Sequence, residues 1–362
     1  MKSHNYHPIW FQRNRPYAKF CKQAVTTHGF RGSAIDEIQG RIIREWNTAL
    51  DMKKVDKEDV TLDLLREISL AFYFGAFAST GYNLFSFTDS LGEMLANTTA
   101  SEIPIKLLKS PFPVYFIQFH KPFHWGKLEI SGAYVIDHDE IPALQVCLVI
   151  KPLNEASHWL SSPSGYFYLP LPKTGEDTLG DLISKTIESE IVNKWKNATS
   201  SMPIMDERVK DIREQRAKRE SMDLSSAKVA IKEAMEYVAN CLCYLSTHQT
   251  LGGDEYPSDT PVALTSKLQT AQTDKQKQKI QSQLKSMGFF PVTYIRLSNH
   301  ENEDPSANSF PEGTGKRMHW RRGHWRNQRR GKSLSETQII WIKPTLVGEG
   351  ATQDDIREYR LT

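Results

Sequence analysis

Residues His319–Gly331 read HWRRGHWRNQRRG, and they interleave cations with aromatic rings. Arginine presents a planar fork that grips phosphate or carboxylate with two prongs. Arg317, Arg321, Arg322, Arg326, Arg329 and Arg330 are the candidates for that role. Trp320 and Trp325, with Trp341 beyond them, offer faces for base stacking or cation–π contact. His319 and His324 could donate to phosphate or titrate near neutrality. Gly323 permits a turn or a close backbone approach. Interleaved basic and aromatic residues are what a single-stranded nucleic-acid surface needs. The same residue types would also serve a metal-independent ribonuclease, with His319 and His324 as weak candidates for acid and base beside an arginine clamp. A plainer reading stays open. The tryptophans would fill a core against Trp341, and the arginines would be solvated or paired with acids on the body. A binding role is preferred over an enzymatic one.

Metal and cofactor chemistry find little support. His319 and His324 have no nearby Cys or carboxylate pair to complete a zinc site. His120 and His124, and the run Asp137, His138, Asp139, Glu140, invite a metal, but IDHDEIP reads better as a turn between strands. There is no Walker A sequence, no dinucleotide-type glycine loop and no GxSxG. The expectation is no metal and no cofactor.

The charge distribution isolates the motif. The 362-residue chain has 46 Lys/Arg against 43 Asp/Glu, a net charge of +3. Lys316–Lys332 holds eight of those cations and no acid, so the remainder has 38 basic against 43 acidic residues. A basic patch on a mildly acidic body points to a localised anionic partner. The first acid of the chain is Asp36, so the N-terminal segment is also basic. With 39% hydrophobic and 10% aromatic residues, the chain can fill a core and is not disordered throughout. Its four cysteines, Cys21, Cys147, Cys241 and Cys243, make no disulfide framework and suit a reducing cytosol. The longest apolar run, Ile68–Ala78, is too short to span a bilayer, and no secretory signal is expected.

The elements that must position the motif follow from periodicity. Helices are expected over 33–50, with Ser33 as cap, and over 59–80, apolar nearly all round and therefore central. A short helix is expected over 90–96. β-branched and aromatic runs at 114–119, 128–136, 144–151 and 165–171 predict a mostly antiparallel meander. Helices are predicted over 177–195, 206–220, 225–245 and 264–287, the last stopped by Gly288. Strands are predicted over 289–297 and 337–347, with a polar loop at 299–315. The order predicts an α+β fold: a mostly antiparallel sheet of short strands packed with several helices, the C-terminal strands rejoining it. Four regions are expected. They are a basic, aromatic arm and helix (1–58), an α+β core (59–297), a polar loop (298–315), and the basic motif with a closing strand packed on the core (316–362).

The block RMHWRRGHWRNQRRG (317–331) followed by WIKPTLVG (341–348) resembles the C-terminal signature of a family of anti-CRISPR proteins. That family lowers the level of the type V-A CRISPR effector nuclease. LLREISLAFYFGAFASTGYNLFSF (64–87) is similar to the family's central aromatic helix and following turn. PVYFIQF (113–119) and GAYVIDH (132–138) look like its strands, and AMEYVANCLCYLSTHQT (234–250) like its late apolar helix. The departures are a polar insertion around 264–287 and the N-terminal arm. The resemblance implies a plasmid- or phage-borne protein in the bacterial cytoplasm, not in a membrane. It implies recognition of the effector's nascent N-terminal peptide, with loss of the translated mRNA. Such a protein needs a groove for an extended peptide, for which an open sheet edge among residues 114–171 is the candidate. It also needs a basic surface approaching mRNA or the ribosome, for which Lys316–Lys332 is the candidate. The competing assignments are the ribonuclease above and an RNA-binding accessory protein of a plasmid or phage.

Overall fold

The structure is a computed structural model that describes residues 6–51, 60–125, 128–139, 141–150, 165–173, 175–193, 224–247, 253–297, 319–331 and 335–347. The first half comprises α1 (His7–Asn14), α2 (Ala18–His28), α3 (Gly32–Asp51), α4 (Val60–Ser79), β1 (Leu84–Phe87), α5 (Asp89–Ala96) and β2 (Thr98–Thr99). Then come β3 (Val114–Trp125), β4 (Leu128–Ile136), β5 (Ala143–Ile150), β6 (Gly165–Pro172), α6 (Leu179–Thr186) and α7 (Leu224–Thr247). The rest are β7 (Gly253–Glu255), α8 (Val262–Thr270), α9 (Asp274–Ser286), β8 (Val292–Ile295), β9 (His319–Arg321), β10 (Gly323–Arg330), β11 (Glu336–Ile342) and β12 (Thr345–Val347).

Strands β3 to β6 form the expected antiparallel meander. β1 lies parallel to both β3 and β8, and β7 closes the far side, giving a seven-stranded sheet ordered β6-β5-β4-β3-β1-β8-β7. The fold is α+β. Side chains alternate across a strand, and here both faces are apolar. Val114, Phe116, Tyr134, Ile136, Cys147 and Val149 meet α1 to α4 on one face. Tyr115, Ile117, Ala133, Val135, Val146 and Leu148 meet α5, α6 and α7 on the other. The continuous apolar runs in the sequence are therefore the signature of a sheet covered twice.

Helix α4 is the central helix its composition predicts, wedged between the sheet and α2 with α3. Gly75 makes the α2 crossing possible, because a Cβ there would sit 2.6 Å from the Cys21 carbonyl oxygen. The basic, aromatic N-terminal segment folds into α1 and α2. Tyr6, Ile9, Phe11 and Tyr17 are fully buried, and they dock α1 and α2 onto α4. That docking encloses Arg15, whose Nε and Nη2 donate to the two carboxylate oxygens of Glu67 at 2.7 and 3.2 Å. Tyr17 donates its hydroxyl proton to the same carboxylate.

His7 is buried in this layer, 3.0 Å from the Tyr134 hydroxyl. Burial, reinforced by the nearby Arg15 charge, pushes its pKa down to about 3. An unfolded histidine titrates near 6.5, so between those values the unfolded chain binds the extra proton. The neutral form is the folded one. Its contribution is complete above pH 6.5 and declines as the pH falls towards 3. Urea unfolding should therefore show a loss approaching about 1.4 kcal/mol per pH unit below 6.5 that is missing in His7→Phe. Parallel pH profiles for the two proteins would contradict this.

Several predicted boundaries shift. The 264–287 helix divides into α8 and α9, because Thr273 and Gln276 make a reciprocal capping box that starts a new helix. Gly288, at φ 81°, follows the C-cap Met287, as expected. α6 continues into a π-helical segment, Ile187–Asn193. Ser33 falls inside α3 rather than at its cap. The 289–297 strand is shorter, as β8. IDHDEIP does turn between strands, with Ile141 N–H donating to the His138 carbonyl at 2.9 Å. The helix predicted over 206–220 and the loop over 298–315 lie outside the described residues.

One expected pairing takes a different form. The C-terminal strands do not rejoin the main sheet: β11, β10 and β2 make a three-stranded sheet, and β9 with β12 a two-stranded one. β10 pairs instead with the short β2 that follows α5. All four cysteines are free and buried, and burial pushes their thiols up. No helix among the described residues is long and apolar enough to cross a membrane.

Candidate functional site

The basic motif forms strands β9 and β10, and residue alternation gives β10 two unlike faces. Trp325 is 2% exposed, whereas its neighbours His324 and Arg326 are exposed. Register places Trp325 opposite Trp341, with the rings stacked at 5.5 Å and 16°. Tyr244 of α7 meets Trp341 edge-on at 5.7 Å. Trp325 Nε1 donates to Asn240 Oδ1 at 3.0 Å. Asn240 in turn donates to the carbonyls of Leu95 and Thr98, at 3.0 and 2.7 Å. Trp341 Nε1 donates to the Thr98 hydroxyl at 3.2 Å. A buried amide therefore ties α5, β2, α7 and β10 together with its polar groups satisfied.

Gly323 is needed for close approach. A Cβ there would lie 2.7 Å from both the Ile342 carbonyl and Pro344. Its N–H donates to the Asn97 carbonyl at 2.9 Å, continuing the β2 pairing.

Of the sequence candidates, Arg321, Arg322, His324, Arg326, Arg329 and Arg330 are exposed on this small sheet and its approach. His324 stands opposite Ile342 and Arg326 opposite Ile340, two isoleucines that are themselves 42% and 37% exposed. Arg330 pairs with Glu336 at 3.7 Å, a surface contact worth little. Trp325 has no face left for stacking on a base, because its ring is spent in the core. Trp341 is half-buried against the same cluster. For Trp325 and Trp341 the plainer, structural reading fits, and the described arginines of the motif stay exposed. His319 and Trp320 lie in β9, opposite Val347 and Leu346, while Arg317 is outside the described residues.

The acid–base reading needs a second titrating group beside the first. The cross-strand neighbours of His324 are Ile342 and Thr99, neither of which titrates in the neutral range. The other histidine pair is not a ligand set. His120 packs on Gly92 and Tyr237, and burial pushes its pKa down against the opposing pull of Glu93 at 3.6 Å. His124 is exposed opposite Glu129.

Sequence reading passed over Asn240 and Thr98, which hold the site in place. Asn240 did leave a trace, as a lone amide inside the apolar stripe of α7.

Beyond the site, β6 ends the main sheet. Pro170 and Pro172 supply no N–H, and the Thr186 hydroxyl donates to the Pro170 carbonyl at 3.0 Å. The C-terminal half of that edge is therefore closed to an added strand.

No curated protein matches the chain. A crystal structure of AcrVA2 aligns over 95% of this chain and 99% of its own, at 12% identity and a TM-score of 0.41. The model of the AcrVA2-like family, described as the anti-CRISPR type V subtype A2 family, matches residues 85–349. That span runs from β1 through the seven-stranded sheet to the end of the basic module. The chain belongs to the anti-CRISPR type V subtype A2 family.

Proposed function

We propose that the protein is a regulatory anti-CRISPR protein of the bacterial cytoplasm. It engages the N-terminal peptide of a type V-A CRISPR effector during synthesis and causes loss of its mRNA. Family membership supports the target class. The carrying observation is the set of exposed arginines on and beside β10, Arg321, Arg322, Arg326, Arg329 and Arg330, held on a strand that Trp325 and Asn240 lock to the core. A rigid support lowers the entropy lost when a surface engages an anionic partner. Arg317, His319, Trp320 and the half-buried Trp341 are proposed to extend this interface for mRNA or the ribosome. The N-terminal half of β6, Gly165–Leu169, is the proposed place for an extended peptide to add as a strand. The 316–362 region acts as a binding module on the core.

The test is paired measurement of effector protein and effector mRNA in cells with and without this protein. The first effector codons are supplied native and synonymously recoded. Message loss with both sets is expected, because the peptide and not the RNA sequence is read. No loss with either would sink the proposal. Arg321→Ala with Arg322→Ala should weaken message loss severalfold while changing stability by no more than about 0.5 kcal/mol, as for exposed residues generally. A loss of activity matched by a fall in Tm would assign these arginines to structure.

A further inference from the structure

Strands β10 and β11 leave the core as a two-stranded ribbon with both faces open. Register partners share a face, and successive residues alternate between faces. On the face that carries Trp325, the core ends with Trp325 and Ile339. Beyond them Asn327, Arg329 and Thr337 are exposed on that same side. β2 pairs with β10 only at Gly323 and His324, so among the described residues no third strand continues alongside. An isolated two-stranded ribbon is marginally stable in water. This one is clamped at its base by the Trp325–Trp341 stack and by the bonds to Asn240 and Thr98.

The opposite face of the ribbon has a distinctive composition. Arg326 and Gln328 of β10 stand across from Ile340 and Gln338 of β11. These are types that recognise base edges. Arginine forks onto guanine O6 and N7, glutamine onto adenine N6 and N7, and an apolar side chain packs on the thymine methyl. At the outer end of this face Arg330 is paired with Glu336, which leaves Arg326 as its available guanidinium. Among the described residues no acid pairs with Arg321, Arg322, Arg326 or Arg329, so the ribbon and its base carry excess positive charge.

We propose that the β10–β11 ribbon binds in the major groove of duplex DNA. Arg326, Gln328, Gln338 and Ile340 face the base edges, and Arg321 and Arg322 at the base of the ribbon reach flanking phosphates. The shape argues for this partner. A major groove about 12 Å wide admits a two-stranded ribbon. Arg326 to Arg330 spans about 14 Å at roughly 3.4 Å per residue, the rise of about four base pairs. An A-form RNA duplex is excluded by its narrow major groove, which side chains cannot read. Single-stranded RNA is held by stacking on exposed rings. The described rings of the ribbon, Trp325 and Trp341, pack instead on the core. The site shares its arginines with the message-loss reading but does not rest on it.

The test titrates the full-length protein, by fluorescence anisotropy, against a labelled DNA duplex of about two helical turns. The RNA duplex and single-stranded RNA of the same sequence are the comparison probes. DNA should bind tightest. A DNA duplex whose cytosines carry glucosylated 5-hydroxymethyl groups, which fill the major groove, should bind at least about tenfold more weakly. Arg326→Ala should weaken binding to plain DNA about tenfold, as for loss of one bidentate base contact. Arg329→Ala, on the opposite face, should weaken it only about twofold. Both positions are exposed, so Tm should not move. Four results would overturn the proposal: no DNA binding by the wild type, glucosylated DNA bound as tightly as plain DNA, equal losses in the two variants, or single-stranded RNA bound as tightly as duplex DNA. The last would assign these arginines to RNA alone. None of the four decides the message-loss reading, which is measured on effector mRNA in cells.

Discussion

Trp325→Ala is expected to destabilise the protein by about 3–5 kcal/mol and to abolish the message loss proposed above. The ring is 2% exposed and stacked on Trp341, so its removal leaves a cavity at the junction of β10, β11 and α7. It also strands Asn240 Oδ1, which accepts the indole N–H, inside the core. Trp325→Phe separates the two contributions. It keeps most of the packing and loses the hydrogen bond, for an expected cost of about 1–3 kcal/mol. Urea unfolding gives the stability, and effector mRNA in cells gives the activity. A Trp325→Ala protein with wild-type stability would mean that the small sheet folds without its anchor.

Glu67→Ala is expected to cost about 3–5 kcal/mol, an effect of similar size from the opposite face of the sheet. The side chain of Arg15 is 0% exposed, and Glu67 is its bidentate partner. Truncating the carboxylate removes the bidentate partner of a buried guanidinium and the acceptor of the Tyr17 hydroxyl proton. The stacking of Arg15 over the Trp10 ring, at 4.5 Å, remains but cannot neutralise the charge. Replacing both partners, Arg15→Met with Glu67→Leu, should recover most of the loss, because a well-packed apolar pair avoids burying charge at all. Thermal unfolding of the single and double variants forms the cycle. A double variant as unstable as Glu67→Ala alone would show that the site requires its polar groups for packing.

The meander was legible because its strands are continuous β-branched and aromatic runs, and α4 because it is apolar all round. Both signals arise from burial on every side, which sequence records directly. The N-terminal helices were not legible as a docked layer. Their residues read only as a basic, aromatic arm and helix, and the partner that lets Arg15 be buried is Glu67, some fifty positions away. The destination of the C-terminal strands was hidden for a related reason. β2 is two residues long and carries no periodic signal, yet it is the strand on which β10 pairs. At the candidate site, the residue types were readable, but which tryptophan would turn inward depended on Asn240, a partner in a different helix.

The anchoring contacts of the basic module also set a timetable. Trp325 bonds to a residue 85 positions earlier, and Trp341 to one 243 positions earlier. Chains fold from the N-terminus as they are synthesised, and contacts between distant positions form slowly. The cationic face is therefore assembled last, after the sheet and α7 have already made the shelf that receives it. A growing copy of this protein carries its arginines on an unanchored strand until β11 has been made and can pair with β10.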